Sequence, residues 1–362
     1  MKIGILTFHC ANNYGAVLQA YALQEYLRKN RHDAYIINYC PQYITSYYQA
    51  FGNRTCGMLK YILKSCILAH GRLKKQHLFQ KFRHQYLHLY DLDLNNVYND
   101  FDAFVFGSDQ IWNPAITKND KNYFAAFKAA DGKKLIAYSA SMGSVKNVDS
   151  ALKILYRNEL KKFSAISVRE DPLRKYIEAN FQYKVSLTCD PVFLAGRNIF
   201  DVIAAKPRTN KPYLLLMSTF YNQKLFDYAK QLSSEYSLKF INLATYEKAS
   251  SFKRKKIVSL TQFLGYIKHA TYILTDSFHG TALSVLFKKN FNTIERNSQM
   301  DERARSLLKS LGIENRMLAL ESNINVSFSE VDYSDVDRKL DKLVITSQQY
   351  LKEALQSNSL EI

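Results

Sequence analysis

One histidine stands out for its setting. In TDSFHGTALSVLF (275–287), His279 precedes Gly280 where a short apolar strand gives way to a helical pattern. An imidazole at such a turn can transfer protons near neutral pH. The start of the following helix favours an anion beside it. Ser277, Gly280 and Thr281 flank the histidine and are candidates to line a bound substrate. ANNYGA (11–16), near the N-terminus, has the same strand, loop and helix form. Its small residues let backbone N–H groups approach an anion, with Asn12, Asn13, Tyr14 and Gly15 as candidates. The alternative there is a capped turn with Asn12 or Asn13 as N-cap. His9 leads into that loop.

Two further loops carry chemistry. GSDQIWNP (107–114) sets the only Trp of the chain, Trp112, beside Ser108, Asp109 and Gln110. An aromatic with a carboxylate and amides can hold a sugar; the alternative is a staple in which Trp112 packs on the domain edge. SVRED (167–171) places Arg169 at a strand end, where its planar fork suits a carboxylate or phosphate. The alternative is a salt bridge to Glu170 or Asp171. Ser139 ends another strand, in YSASMG. No GxGxxG or Walker A loop occurs, which disfavours a dinucleotide oxidoreductase or a P-loop enzyme. No His pair has a metal-ligand spacing with a carboxylate on one helix face.

The elements that position these residues are those of an α/β protein. Apolar runs predict strands at 3–8, 34–38, 102–106, 134–139, 165–168 and 185–188, with helices at 16–29 and from 172. A second set follows: strands at 213–217, 239–243, 272–274 and 291–294, with helices at 223–235, 260–268 and 281–287. The expected architecture is two Rossmann-like open-sheet domains facing a cleft, at 1–195 and 211–330, with a polar amphipathic helix in 331–362. In open sheets, ligands bind outside the carboxyl ends of the strands, where every motif above falls. That is also the arrangement of GT-B glycosyltransferases.

The 362 residues carry 50 Lys and Arg against 32 Asp and Glu, a net charge of +18. Such a surface attracts phosphate-rich partners. The charge is uneven: 42–90 holds no acidic residue, and Arg54, Lys60, Lys64, Arg72, Lys74, Lys75, Lys81 and Arg83 lie there among apolar residues. This basic helical insertion suits an anionic membrane face or a lipid-linked diphosphate; the alternative is a solvated helix pair. Lys253, Arg254, Lys255 and Lys256 form a shorter cluster. No nucleic-acid motif is present, so no specific nucleic-acid partner is expected. Cys10, Cys40, Cys56, Cys66 and Cys189 are odd in number and lack CxxC spacing, which argues against a disulfide framework or zinc and reads as incidental thiols. No run of 18 apolar residues occurs, and MKIGILTFHCANN reads as a first strand, so a cytoplasmic location is expected.

Taken in order, TFHCANNYGAVLQAYAL, FGSDQIWNP, YSASMG, SVRE, CDPVF and TDSFHGTALSVLF resemble the polysaccharide pyruvyl transferase family, over 4 to about 305. The resemblance implies a GT-B-like fold. It implies transfer of the enolpyruvyl unit of phosphoenolpyruvate onto two sugar hydroxyls, giving a cyclic pyruvate ketal on capsule, exopolysaccharide or cell-wall sugars. In several members the acceptor is lipid-linked, which would put the protein at the inner membrane face. No metal or organic cofactor is implied, phosphoenolpyruvate being the donor. The family's key His falls on His279 and its key Arg on Arg169. A further basic residue falls on Arg303, with Arg296 the second choice. Asp109 and Trp112 are the candidates for the acceptor sugar. The rival reading is a nucleotide-sugar glycosyltransferase of the GT-B type.

Overall fold

The computed structural model describes residues 1–45, 58–243, 256–296, 301–319 and 330–356. The chain forms two compact units. One comprises Met1–Ile44, Arg83–Gly196 and Asp337–Ile362; the other comprises Thr45–Phe82 and Arg197–Val336. Arg54, Cys56 and the run Lys253, Arg254, Lys255 lie outside the described residues.

The first unit holds seven parallel strands: β1 (Lys2–Leu6), β2 (Asp33–Ile37), β3 (Leu89–Tyr90), β4 (Ala103–Phe106), β5 (Lys134–Ala140), β6 (Ala165–Val168) and β7 (Val185–Leu187). Their order is β3-β2-β1-β4-β5-β6-β7. Strands covered on both faces read as unbroken apolar runs, and AFVF of β4 is buried throughout. Gly4 is needed where it stands, because a Cβ there would lie 2.6 Å from the Phe104 ring. Helix Tyr14–Lys29 buries Val17, Leu18, Ala20, Leu23 and Leu27, and ends on Arg28 and Lys29, which suit its C-terminal dipole. Helix Tyr333–Gln356 is fastened to this unit. Tyr350 donates to the Ala137 carbonyl (2.8 Å), Lys134 to that of Leu355 (2.8 Å), and the Cys189 N–H to Ser347 (2.9 Å).

The second unit holds five parallel strands: β8 (Tyr213–Met217), β9 (Lys239–Asn242), β10 (Tyr272–Thr275), β11 (Asn290–Glu295) and β12 (Met317–Ala319), ordered β12-β11-β10-β8-β9. Leu214, Leu216, Leu225, Phe226, Tyr272 and Ile294 are among the residues of its core. Strand order reverses between β1 and β4 in the first sheet and between β8 and β10 in the second. Such a reversal opens a crevice at the carboxyl ends of the strands.

The basic insertion carries one long helix, Met58–Tyr86, as the helical reading expected, and not the helix pair of the alternative. Its Phe79 and Phe82 are buried, while Lys74, His77, Lys81 and His84 are exposed. Among the described residues, no helix is long and apolar enough to cross a membrane.

Candidate functional site

In the first unit the reversal lies between the loops after β1 and β4. Thr7 Oγ1 joins them, donating to the Ser108 carbonyl (3.1 Å) and accepting from Gln19 (2.8 Å). Asn13 is the N-cap of helix Tyr14–Lys29; its Oδ1 accepts from the N–H groups of Gly15 (3.0 Å) and Ala16 (3.3 Å). Asn12 Oδ1 accepts from both terminal nitrogens of Arg83, at 3.2 and 3.1 Å, and Tyr14 is buried. The capped-turn alternative thus accounts for Asn13 and Gly15, while Asn12 is held by Arg83.

Arg169 stands at the end of β6 with a side chain only 3% exposed. It donates to Asp190 Oδ2 at 2.6 Å and reaches Ser108 Oγ at 3.5 Å. Asp109 Oδ1 lies 3.5 Å away and Glu170 Oε1 3.6 Å away. Burial opposes the guanidinium charge, but Asp190, Glu170 and Asp109 outweigh it and hold the pKa above its ordinary value. Asp109 and Ser139 both take left-handed backbone conformations (φ 70° and 49°). Non-glycine residues adopt these at a cost, often at functional sites. Ser139 Oγ is buried and meets no hydrogen-bond partner among the described residues.

Trp112 does not face a ligand. It is 1% exposed, stacks on Phe124 at 5.7 Å, and its ring N–H donates to the Tyr123 carbonyl. It is the staple of its loop, and no ring face is left for a sugar. Gln110 is also buried, its side-chain oxygen accepting from Asn113 (2.7 Å).

In the second unit the reversal lies between the loops after β8 and β10. Asp276, after β10, ties them together. It accepts from the Ser218 hydroxyl, the Thr219 N–H (2.7 Å) and the Thr219 hydroxyl (2.8 Å). Arg296, at the end of β11, donates to the same Thr219 oxygen (3.1 Å), with its guanidinium 4.5 Å from the Phe220 ring centre. That is a cation–π distance. Burial raises the Asp276 pKa, against the bonds from Ser218 and Thr219 and the charge of Arg296.

Helix Phe278–Leu286 starts one turn earlier than expected, so His279 lies in its first turn, not in the preceding loop. Ser277 is the reason: its hydroxyl caps the helix by accepting from Gly280 N–H (3.4 Å). His279 is 8% exposed and sits edge-on to Phe278, which lies 5.6 Å from the guanidinium of buried Arg303. Gly280 serves packing, because a Cβ there would lie 2.1 Å from Thr275 Oγ1. Thr281 is buried and bonded to Ser277 O (3.1 Å) and Thr293 Oγ1 (2.7 Å).

Among the described residues, no group of three or more His, Cys, Asp and Glu side chains is placed to hold a metal ion. A hollow of about 790 Å³ lined by Asn95, Phe127, Lys128 and Lys133 opens near the start of β5. It contains none of the motif residues and lies at the wrong strand end for an open-sheet site.

The polysaccharide pyruvyl transferase model matches residues 13–298. The chain belongs to the polysaccharide pyruvyl transferase family. Among curated proteins nothing matches it. Among solved structures it is similar to Arabidopsis thaliana UGT89C1 complexed with UDP-L-rhamnose: 11% identity, 98% of each chain covered, TM-score 0.51. A Listeria monocytogenes structure described as a UDP-N-acetylglucosamine 2-epimerase is similar at 7% identity, over 99% of this chain and 91% of that one, with TM-score 0.50. At such identities the likeness shows the fold, two Rossmann-like α/β domains of the GT-B kind, as the sequence led us to expect.

For this pyruvyl transferase, the matched span takes in Arg169, His279 and Arg296, while Arg303 lies beyond it. The sequence reading missed Asp276, Ser218, Thr219 and Asp190 as members of these strand-end networks, while Glu170, named there as a salt-bridge partner of Arg169, lies beside it. Asp276, directly after β10, and Asp190, three positions past the end of β7, stood inside quoted motifs, and that position was the available signal. Ser218 and Thr219 follow β8 in the same way but sit in no motif.

Proposed function

We propose that this pyruvyl transferase moves the enolpyruvyl unit of phosphoenolpyruvate onto two hydroxyls of one sugar, forming a cyclic ketal and releasing phosphate, in surface polysaccharide biosynthesis. The observation that carries the proposal is the second unit's strand-end network: His279 in the first turn of a capped helix, beside the loops that Asp276 and Arg296 join.

Protonation of the donor's methylene carbon makes C2 electrophilic. A sugar hydroxyl adds, the C–O bond to phosphate breaks, and the second hydroxyl closes the ring. His279 donates that proton or accepts one from the attacking hydroxyl, help worth about 10²–10⁴-fold. Arg296 and Arg303 offset the donor's carboxylate and phosphate, and the N–H groups of the helix start add donors. Arg169, facing three carboxylates, fixes the ends of β4, β6 and β7. The family resemblance implies no metal and no organic cofactor for this transfer. The exposed lysines of helix Met58–Tyr86 suit a lipid-linked diphosphate acceptor or an anionic membrane surface.

The test is phosphate release from phosphoenolpyruvate with galactose-, mannose- and N-acetylhexosamine-terminated lipid-linked acceptors. Acceptor-dependent release that is lost in His279→Asn supports the proposal. Consumption of a UDP- or GDP-sugar without such release would replace it with a nucleotide-sugar glycosyltransferase.

A further inference from the structure

Cys40 follows β2, and Cys10 lies in the loop after β1. Cys40 is exposed and Cys10 buried. Cys10 directly follows His9, whose ring reaches Cys40, and the two thiols are near enough to shift each other's titration. Cys40 Sγ also lies 3.6 Å from His9 Nε2 and 3.3 Å from Asn38 Oδ1. Each neighbour is held in place. The Asn38 amide nitrogen donates to Asp91 (2.7 Å), which turns its oxygen toward Cys40 and His9 (3.2 Å from Nε2). His9 Nδ1 lies 3.2 Å from the Thr7 carbonyl, so the imidazole is fixed at both nitrogens with one edge on the sulfur. Arg83 brings a cation, donating to the Cys10 carbonyl (3.3 Å). The neighbouring Cys10 thiol lowers the Cys40 pKa most. Burial opposes it, and the bond and charge of His9 and the charge of Arg83 help it. The same pairing of thiols, with burial, raises Cys10, which therefore keeps its proton.

Reactive cysteines sit in electropositive, partly exposed settings beside His or Arg, and redox-sensitive ones have a second thiol in reach. We propose that Cys40 is an oxidation-sensitive nucleophilic thiol, activated by His9 and resolved by Cys10 into a Cys10–Cys40 disulfide. With hydrogen peroxide as oxidant, the Cys40 thiolate attacks one peroxide oxygen. An S–O bond forms, the O–O bond breaks, and hydroxide leaves and takes up a proton to become water. Cys10 then gives up its proton and attacks the Cys40 sulfur. The S–S bond forms, the S–O bond breaks, and the hydroxyl departs as a second water. Two electrons pass from the thiol pair to the peroxide. The bond ties the loop after β1 to the end of β2. This thiol site is separate from the transfer reaction proposed above, and these two cysteines are not the incidental thiols expected from the sequence.

The test uses the full, reduced chain and peptide mapping. Iodoacetamide at about pH 6 alkylates Cys40 on the order of ten-fold faster in the wild type than in His9→Asn, and the gap closes well above the ordinary thiol pKa. One equivalent of hydrogen peroxide joins the Cys10 and Cys40 peptides, and dithiothreitol releases them. In Cys10→Ser, Cys40 is instead captured by dimedone as the sulfenic acid. Equal alkylation rates in wild type and His9→Asn at about pH 6 would overturn the activation. Peroxide linkage of Cys40 to Cys56 or Cys66, or no linkage, would overturn the pairing.

Discussion

After β4, β6 and β7 of the first unit, three carboxylates (Asp109, Glu170 and Asp190) gather around one guanidinium. After β8, β10 and β11 of the second, one carboxylate shares Thr219 with Arg296, and the helices that follow carry His279 and Arg303. The two sheets have the same parallel construction, and each reverses strand order beside these loops. Topology alone puts a ligand at either edge; charge separates them. Uncompensated carboxylates repel the proposed donor, which carries a carboxylate and a phosphate. Two arginines and a helix start suit the donor.

The largest expected effect lies in the second unit. His279→Asn lowers kcat by about 10²–10⁴-fold, while circular dichroism and the urea midpoint stay near the wild type. Next is Arg169→Ala, which strands three buried carboxylates. It costs about 3–5 kcal/mol of stability, read as a lowered urea midpoint. A midpoint unchanged with turnover lost would make Arg169 a chemical group and break the contrast. Arg296→Ala sharpens it from the other side, raising KM for phosphoenolpyruvate on the order of ten-fold with a small change in midpoint. Gly280→Ala forces a methyl group onto Thr275 and costs about 1–3 kcal/mol.

The smallest effect is the pH response of Asp276. Burial raises its pKa, so the folded chain holds that proton more tightly than the unfolded chain does. Its stabilising share is present below the ordinary carboxylate pKa and fades as pH rises through the raised one. Urea midpoints measured from acid to neutral pH should show that decline in the wild type and a flatter line in Asp276→Asn.

Much of this was legible because parallel strands announce themselves as apolar runs ending in polar loops. β4 and β10 were placed within a residue or two, and both motif loops fell at the strand-order reversals. β3 and β12, two and three residues long, are too short to leave a pattern. The roles of single residues were less legible. Asn13, Gly280 and Thr281 carry the motifs' appearance yet are occupied with capping and packing. Trp112 reads as a sugar platform only until its neighbours Phe124 and Phe163 are known. Arg169 reads as an anion clamp only until Asp109 and Asp190, far off in sequence, arrive beside it. Cys10 and Cys40, 30 positions apart, gave no spacing signal; adjacent parallel strands bring them together.

The most direct test of the account is hydrogen exchange with and without phosphoenolpyruvate, resolved by peptide. Slowed exchange at 218–220, 276–280 and 296 is predicted, with little change at 107–110 and 169–171. Protection confined to the first unit's loops would contradict the assignment of the donor to the His279 edge.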